Sequence, residues 1–75
     1  MLQVDFLESD QKIAQFVTAQ CSRLGKVVSI EIHRFPKPYA LVEMANPSEG
    51  LRIAARFGGL TFDAYVRIPL GRKPR

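Results

Sequence analysis

The sequence predicts an α+β domain in which two helices cover one face of a four-stranded antiparallel sheet. Two observations lead to this class. Four stretches alternate apolar and polar residues, as half-buried strands do, and two stretches between them carry apolar residues at helical spacing. The elements follow in the order β-α-β-β-α-β, without an internal repeat. With both helices on one side, the other face of the sheet is left open.

The first strand and the first helix occupy the N-terminal third of the chain. LQVDFL, residues 2–7, begins with the alternation of a strand that has one covered face. Ser9 then provides an N-cap, and Asp10 adds negative charge to the first helical turn. The apolar residues of this helix, which Gly25 ends, are Ile13, Phe16, Val17, Cys21 and Leu24.

A β-hairpin is predicted after this helix. KVVSIEIHRF is rich in β-branched residues, and its alternation predicts three inward side chains, Val28, Ile30 and Ile32. Pro36 and Pro38 cannot donate to a sheet ladder, so they mark the connection. YALVEM continues as the partner strand, with inward side chains Ala40, Val42 and Met44.

A second helix and a last strand complete the chain. Asn46-Pro47-Ser48 begins the helix and Gly58-Gly59 ends it. Its predicted apolar face is Leu51, Ile53, Ala54 and Phe57. LTFDA is interpreted as a connection and YVRIPL as the last strand, in which Pro69 predicts a strand end or a sheet edge.

This arrangement is the ferredoxin-like fold, and its open face is the first candidate for a binding surface. Strand alternation assigns ten residues to that face: Gln3, Asp5, Ser29, Glu31, His33, Tyr39, Leu41, Glu43, Tyr65 and Arg67. Phe35 is expected to cap the edge of the core beneath the hairpin loop.

The composition predicts one soluble domain, residues 1–70, followed by a basic tail, residues 71–75. A chain of 75 residues with 47% hydrophobic and 24% charged residues is typical of a small globular domain. No apolar run approaches the roughly 20 residues that span a bilayer, so no membrane association is expected. The N-terminus lacks the features of a signal peptide, and the single cysteine suits a reducing compartment. We therefore expect an intracellular location, cytoplasmic or nuclear.

Positive charge is concentrated in the second half of the chain. The net charge is +4, and from His33 onward eight basic residues stand against three acidic ones. Such asymmetry favours a polyanionic partner, although a basic solvated surface explains it equally well.

Several stretches together resemble the RNA recognition motif (RRM) family over most of the chain, from Leu2 to about Leu70. Gly25-Lys26-Val27 is similar to the family's passage from the first helix into the second strand. The stretch from Phe57-Gly58-Gly59 to Phe62-Asp63-Ala64 is similar to its approach to the last strand. KPYALVEM and LQVDFL occupy the places of the family's two conserved strand motifs, the octamer and the hexamer.

The resemblance implies binding of single-stranded RNA on the open face, where aromatic rings stack on bases and basic residues contact phosphates. Lys37, Tyr39, Ala40 and Val42 match the octamer, whereas Pro38, Leu41 and Met44 depart from it. Gln3 and Leu41 stand where two further stacking rings are expected. The predicted RNA-binding residues are Tyr39, Lys37, Tyr65, Arg67, His33, Arg34, Gln3, Leu41, Arg72, Lys73 and Arg75.

Two alternatives to RNA binding stay open. Leu41, Gln3 and the carboxylates of the open face also suit a protein partner, and two copies that pack through their open faces would form a weak homo-oligomer. Enzymatic activity, a cofactor and a metal site are not expected. Cys21 lies among core positions without a histidine nearby, and the acidic residues lack the spacing of metal ligands.

Overall fold

The computed structural model describes residues 1–74, which form two helices and five strands and confirm the α+β class. Arg75, assigned above to the RNA-binding tail, lies outside the described residues. The elements in chain order are β1 (Leu2–Val4), α1 (Asp10–Cys21), β2 (Val27–His33), β3 (Tyr39–Met44), α2 (Pro47–Phe57), β4 (Leu60–Phe62) and β5 (Tyr65–Arg72).

The sheet has five strands and is mixed, which differs from the four antiparallel strands that the sequence predicts. Its main order is β1-β5-β3-β2, and β1 pairs in parallel with β5. β4 also pairs with β5, in antiparallel register, through residues 65–67 of β5. Because β5 is eight residues long, one of its edges accommodates both β4 and, further along, β1. The stretch interpreted as a connection is therefore half of a hairpin, whose turn contains Asp63 at φ 55°.

Pro69 lies inside β5 rather than at its end, because the missing backbone donor falls where no partner strand needs it. The N–H of the next residue, Leu70, donates to the carbonyl of Pro38 beside β3. N–H groups alternate between the two edges of a strand, so the nitrogen of Pro69 faces the other edge. On that edge, β4 ends its pairing at Arg67 and β1 begins at Leu70. The proline occupies the gap.

Both helices pack on one face of the sheet, as predicted. Ser9 caps α1 by accepting the N–H of Lys12, and Asn46 caps α2 by accepting the N–H of Glu49. The buried side chains form a single cluster: Leu2, Val4, Ile13, Val17, Cys21, Ala40, Val42, Met44, Ile53, Val66, Ile68 and Leu70. Burial raises the pKa of the Cys21 thiol to about 11.

Four apolar residues that were expected in the core are exposed, and one of them, Phe16 on α1, is 42% exposed. Val28 is 56% exposed because a β-bulge between Val27 and Ser29 shifts the register, so that Val27 takes the place on the core side. Phe35 is 85% exposed in the loop between β2 and β3 and does not cap the core. Leu51 is 60% exposed on α2, where Ile53 is the deeply buried residue.

Candidate functional site

The open face of the sheet is a grid whose rows are set by the strand register. The first row is His33, Tyr39 and Pro69. The second is Glu31, Leu41, Arg67 and Leu60. The third is Ser29, Glu43, Tyr65 and Phe62. Paired residues of a sheet project to the same side, so the face brings together five predicted site residues, His33, Tyr39, Leu41, Tyr65 and Arg67.

Tyr39 lies at the centre of a three-layer stack. The imidazole of His33 is nearly parallel to the Tyr39 ring, with 4.7 Å between the ring centroids and 10° between the planes. The guanidinium carbon of Arg67 lies 3.9 Å from the centroid of the same ring. Because β3 lies between β2 and β5, the two partners approach from opposite sides. Both faces of the Tyr39 ring are therefore covered within the protein, and we call this arrangement the Tyr39 stack.

A depression of about 480 Å³ adjoins the Tyr39 stack, within the roughly 300–1,000 Å³ typical of ligand sites. Its lining combines apolar and cationic side chains with the tyrosine ring: Lys37, Pro38, Tyr39, Gly59, Leu60, Arg67 and Pro69. Gly59 allows β4 to begin here, since a Cβ at this position would lie 2.5 Å from the carbonyl oxygen of Arg67. Lys37, Tyr39 and Arg67, all predicted from the sequence, thus share one site.

Local partners engage the carboxylates near this face. Glu31 lies 3.5 Å from the Nε2 atom of His33, and Glu43 accepts a hydrogen bond from the hydroxyl of Ser29 at 3.1 Å. Asp5 was expected on the open face, but β1 ends before it, and its side chain accepts the N–H of Leu7 in a turn. Two acidic side chains, rather than three, remain on the open face, and neither lines the depression.

Arg34, predicted to contact phosphate, has a structural position instead. Its Nε donates to the carboxylate of Asp10 at 2.7 Å, and its two terminal nitrogens donate to the carbonyl oxygens of Phe6 and Glu8. These bonds attach the end of β2 to the loop between β1 and α1. The guanidinium is committed to the fold, so we leave Arg34 out of the site.

The remaining predicted residues lie along the pairing of β1 with β5. Gln3 is opposite Gly71 at the edge of the sheet, away from the Tyr39 stack. Arg72 is the last residue of β5 and pairs with the buried Val4, while the backbone N–H of Lys73 donates to the carbonyl of Val4. The ordered strand therefore continues beyond the boundary placed at residue 70, and these residues are anchored by their backbones.

Leu60 and Phe62 belong to the open face but were missed by the sequence reasoning. They are 74% and 82% exposed and lie beside Arg67 and Tyr65 in the register. The alternation of Leu60, Thr61 and Phe62 is a strand signal, but it is only three residues long. Asp63-Ala64 also lacks the glycine that usually marks a two-residue hairpin turn.

Within residues 1–74, no group of three or more His, Cys, Asp or Glu side chains is arranged to hold a metal ion. Neither described helix is long and apolar enough to cross a membrane. Comparison of the chain with protein-family models, curated proteins and solved structures finds no significant match.

Proposed function

We propose that this domain binds single-stranded RNA weakly on its open sheet face, at the Tyr39 stack and the adjoining depression. The proposal depends on the RRM resemblance and on one observation, the stack of His33, Tyr39 and Arg67 beside a depression of nucleotide scale. Planar aromatic and guanidinium groups are the surfaces on which proteins stack unpaired bases.

Because of this stack, we expect a base to contact Arg67 rather than Tyr39. Both faces of Tyr39 are covered, so a base reaches the ring only by displacing a partner. The guanidinium of Arg67, by contrast, meets the tyrosine on one side only, with its Cζ atom 3.9 Å from the ring centroid, and the residue lines the depression. We infer that the base stacks on this outer guanidinium face, between Leu60 and Pro69, and that Tyr39 holds the guanidinium in place.

In this proposal Lys37 contacts a phosphate, because its side chain is exposed at the rim of the same depression. Arg72, the last residue of β5, and Lys73, directly after it, lie beyond Pro69 and add positive charge at that end of the sheet, where Arg72 pairs with the buried Val4 on the helix side. One or two phosphate contacts imply a shallow salt dependence, since each contributes about −0.7 to the slope of log K against log salt for single strands.

We also propose that the fold is a variant of the ferredoxin-like layout. The order of its elements and the shared helix face support this proposal, while the parallel β1–β5 pair and the added β4 are its departures.

An NMR titration of the ¹⁵N-labelled domain with short random-sequence single-stranded RNA tests RNA binding. We expect salt-sensitive shifts centred on Lys37, Tyr39 and Arg67, and loss of these shifts in Arg67→Ala. Arg52→Ala is the matched control, because Arg52 is an exposed arginine on α2. Shifts confined to residues 72–75, or no shifts at low salt, would refute the proposal.

Protein binding is the second candidate, and the exposure of Leu60 and Phe62 favours it. Exposed aromatic and aliphatic side chains side by side are typical of protein interfaces. A homo-oligomer through the open face is one form of this alternative. Sedimentation of the free domain and of Phe62→Ser distinguishes it, because an oligomer that Phe62→Ser dissociates would show that the face contacts protein.

A further inference from the structure

A second surface, on the far side of the sheet from β2, combines a free strand edge with a groove. β1 pairs only with β5, so its other edge has no strand partner among the described residues. The carbonyl of Val4 points toward β5, where it accepts the N–H of Lys73. In a parallel ladder, the N–H and C=O of one residue point to the same side and alternate from residue to residue. Both backbone groups of Gln3 therefore point outward.

A groove of about 240 Å³ lies beside this edge, between β1 and the first turns of α1. Ile13 forms its buried floor, and Phe16, expected in the core from its helical spacing, is 42% exposed in its wall. The volume is below the roughly 300–1,000 Å³ of small-molecule sites, so it suits one side chain rather than a whole ligand. An apolar pocket beside a free strand edge is the arrangement used in β-strand addition, in which main-chain bonds hold a peptide and a pocket selects its side chain.

The charges around the groove indicate the chemistry of the occupant. Two carboxylates and two ammonium groups line it, Asp5, Glu8, Lys12 and Lys73, and their formal charges cancel. A polyanion gains no net attraction from these four groups, in contrast to the depression at the Tyr39 stack, whose lining includes the two cations Lys37 and Arg67. An extended peptide that is uncharged at the docking stretch matches both the balanced rim and the apolar floor.

We propose that β1 and α1 form a docking site for an uncharged extended peptide, which adds a strand at Gln3 and inserts one apolar side chain between Ile13 and Phe16. This site is separate from the RNA surface, because Gln3 lies at the outer edge of the sheet and the Tyr39 stack involves only β2, β3 and β5.

The probe is the capped peptide acetyl-Ser-Thr-Leu-Thr-Ser-amide, titrated into the ¹⁵N-labelled full chain. We expect saturable shifts at Gln3, Val4 and Phe16 and none at Tyr39. Phe16→Ser should weaken binding about tenfold through lost apolar contact. Leu51→Ser, which changes an exposed leucine on α2, is the matched control and should leave the affinity unchanged.

Two control peptides separate the parts of the proposal. Replacing the central leucine by serine removes the apolar side chain, and N-methylation of its backbone removes a strand donor, so each should abolish the shifts. No shift at millimolar peptide would overturn the proposal, as would equal shifts with the serine peptide or shifts centred on Tyr39. Concentration-dependent shifts at Gln3 without peptide, together with a dimer in sedimentation, would also overturn it by making a second copy the occupant.

Discussion

Replacing Arg67 with lysine separates stacking from charge at the Tyr39 stack. Lysine keeps the positive charge but lacks the planar guanidinium that covers the tyrosine ring and, in our proposal, receives the base. Its ammonium would still attract phosphate. The substitution therefore removes one proposed interaction and leaves long-range electrostatics nearly unchanged.

The magnitude follows from the geometry. A base stacked on a planar side chain contributes about 1–3 kcal/mol, and the outer face of Arg67 offers one such position. The guanidinium carbon lies 3.9 Å from the ring centroid, inside the ~6 Å limit for a cation–π contact, which at exposed sites contributes about 0.5–1 kcal/mol. We expect Arg67→Lys to weaken RNA binding by about 1–2 kcal/mol, or about 5- to 30-fold, and to lower the free energy of unfolding by at most about 1 kcal/mol.

Fluorescence anisotropy with a labelled single-stranded octanucleotide at several salt concentrations measures both effects. Arg67→Lys should lower the affinity without changing the slope of log K against log salt. Lys37→Ala should instead reduce the slope by about 0.7, the share of one phosphate contact. Unchanged affinity in Arg67→Lys would refute base stacking on the guanidinium, and so would a fall in slope equal to that of Lys37→Ala.

Three further predictions concern residues that shape the fold around the site. Arg34→Ala should lower the free energy of unfolding by about 2–4 kcal/mol in urea denaturation, because a carboxylate and two carbonyls lose their donor, while a folded variant should keep its RNA affinity. Gly59→Ala should destabilise by about 1–3 kcal/mol in the same assay, since its methyl group would press on the Arg67 carbonyl, whereas Ala55→Gly on α2 should cost at most about 1 kcal/mol. Burial raises the pKa of the Cys21 thiol to about 11, so iodoacetamide at pH 8 should modify it only after unfolding, and rapid labelling of the native domain would contradict this. The free energy of unfolding should also fall as the pH rises from 9 toward 11, because the thiol ionises in the unfolded chain before it does in the folded one.

The sequence predicts the local structure well, and also the side of a strand toward which most residues project, because both depend on neighbouring residues in the chain. Ala40, Val42 and Met44 are buried as their alternation indicates, and Ser9 and Asn46 cap the helices. The parallel pairing of β1 with β5 was not predictable, because it joins residues almost 70 positions apart and leaves no periodic signal. The bulge that exposes Val28 is also set by its partner strand rather than by its own residues.

The candidate site likewise has a part that the sequence predicts and a part that depends on strand pairing. Alternation places Tyr39, His33 and Arg67 on one face of the sheet. Only the strand register shows that His33 lies directly beside Tyr39 and that Arg67 lies diagonally across from Tyr39. Arg34 shows the converse, since its charge suggests phosphate binding while three acceptors around the β1–α1 loop bind its guanidinium. Composition identifies a cation, and only tertiary structure shows whether that cation is free.

The covered faces of Tyr39 strengthen rather than exclude the proposed base site. A free arginine side chain loses rotamer freedom when a base stacks on it, at a cost of up to about 2 kcal/mol. In the Tyr39 stack the guanidinium already lies against the tyrosine ring, so part of this ordering precedes binding. A Tyr39→Leu variant should therefore weaken RNA binding although the base never touches the tyrosine, and Arg67→Lys should add little further loss in the Tyr39→Leu background. Additive losses in this double-mutant cycle would mean that Tyr39 and Arg67 act separately.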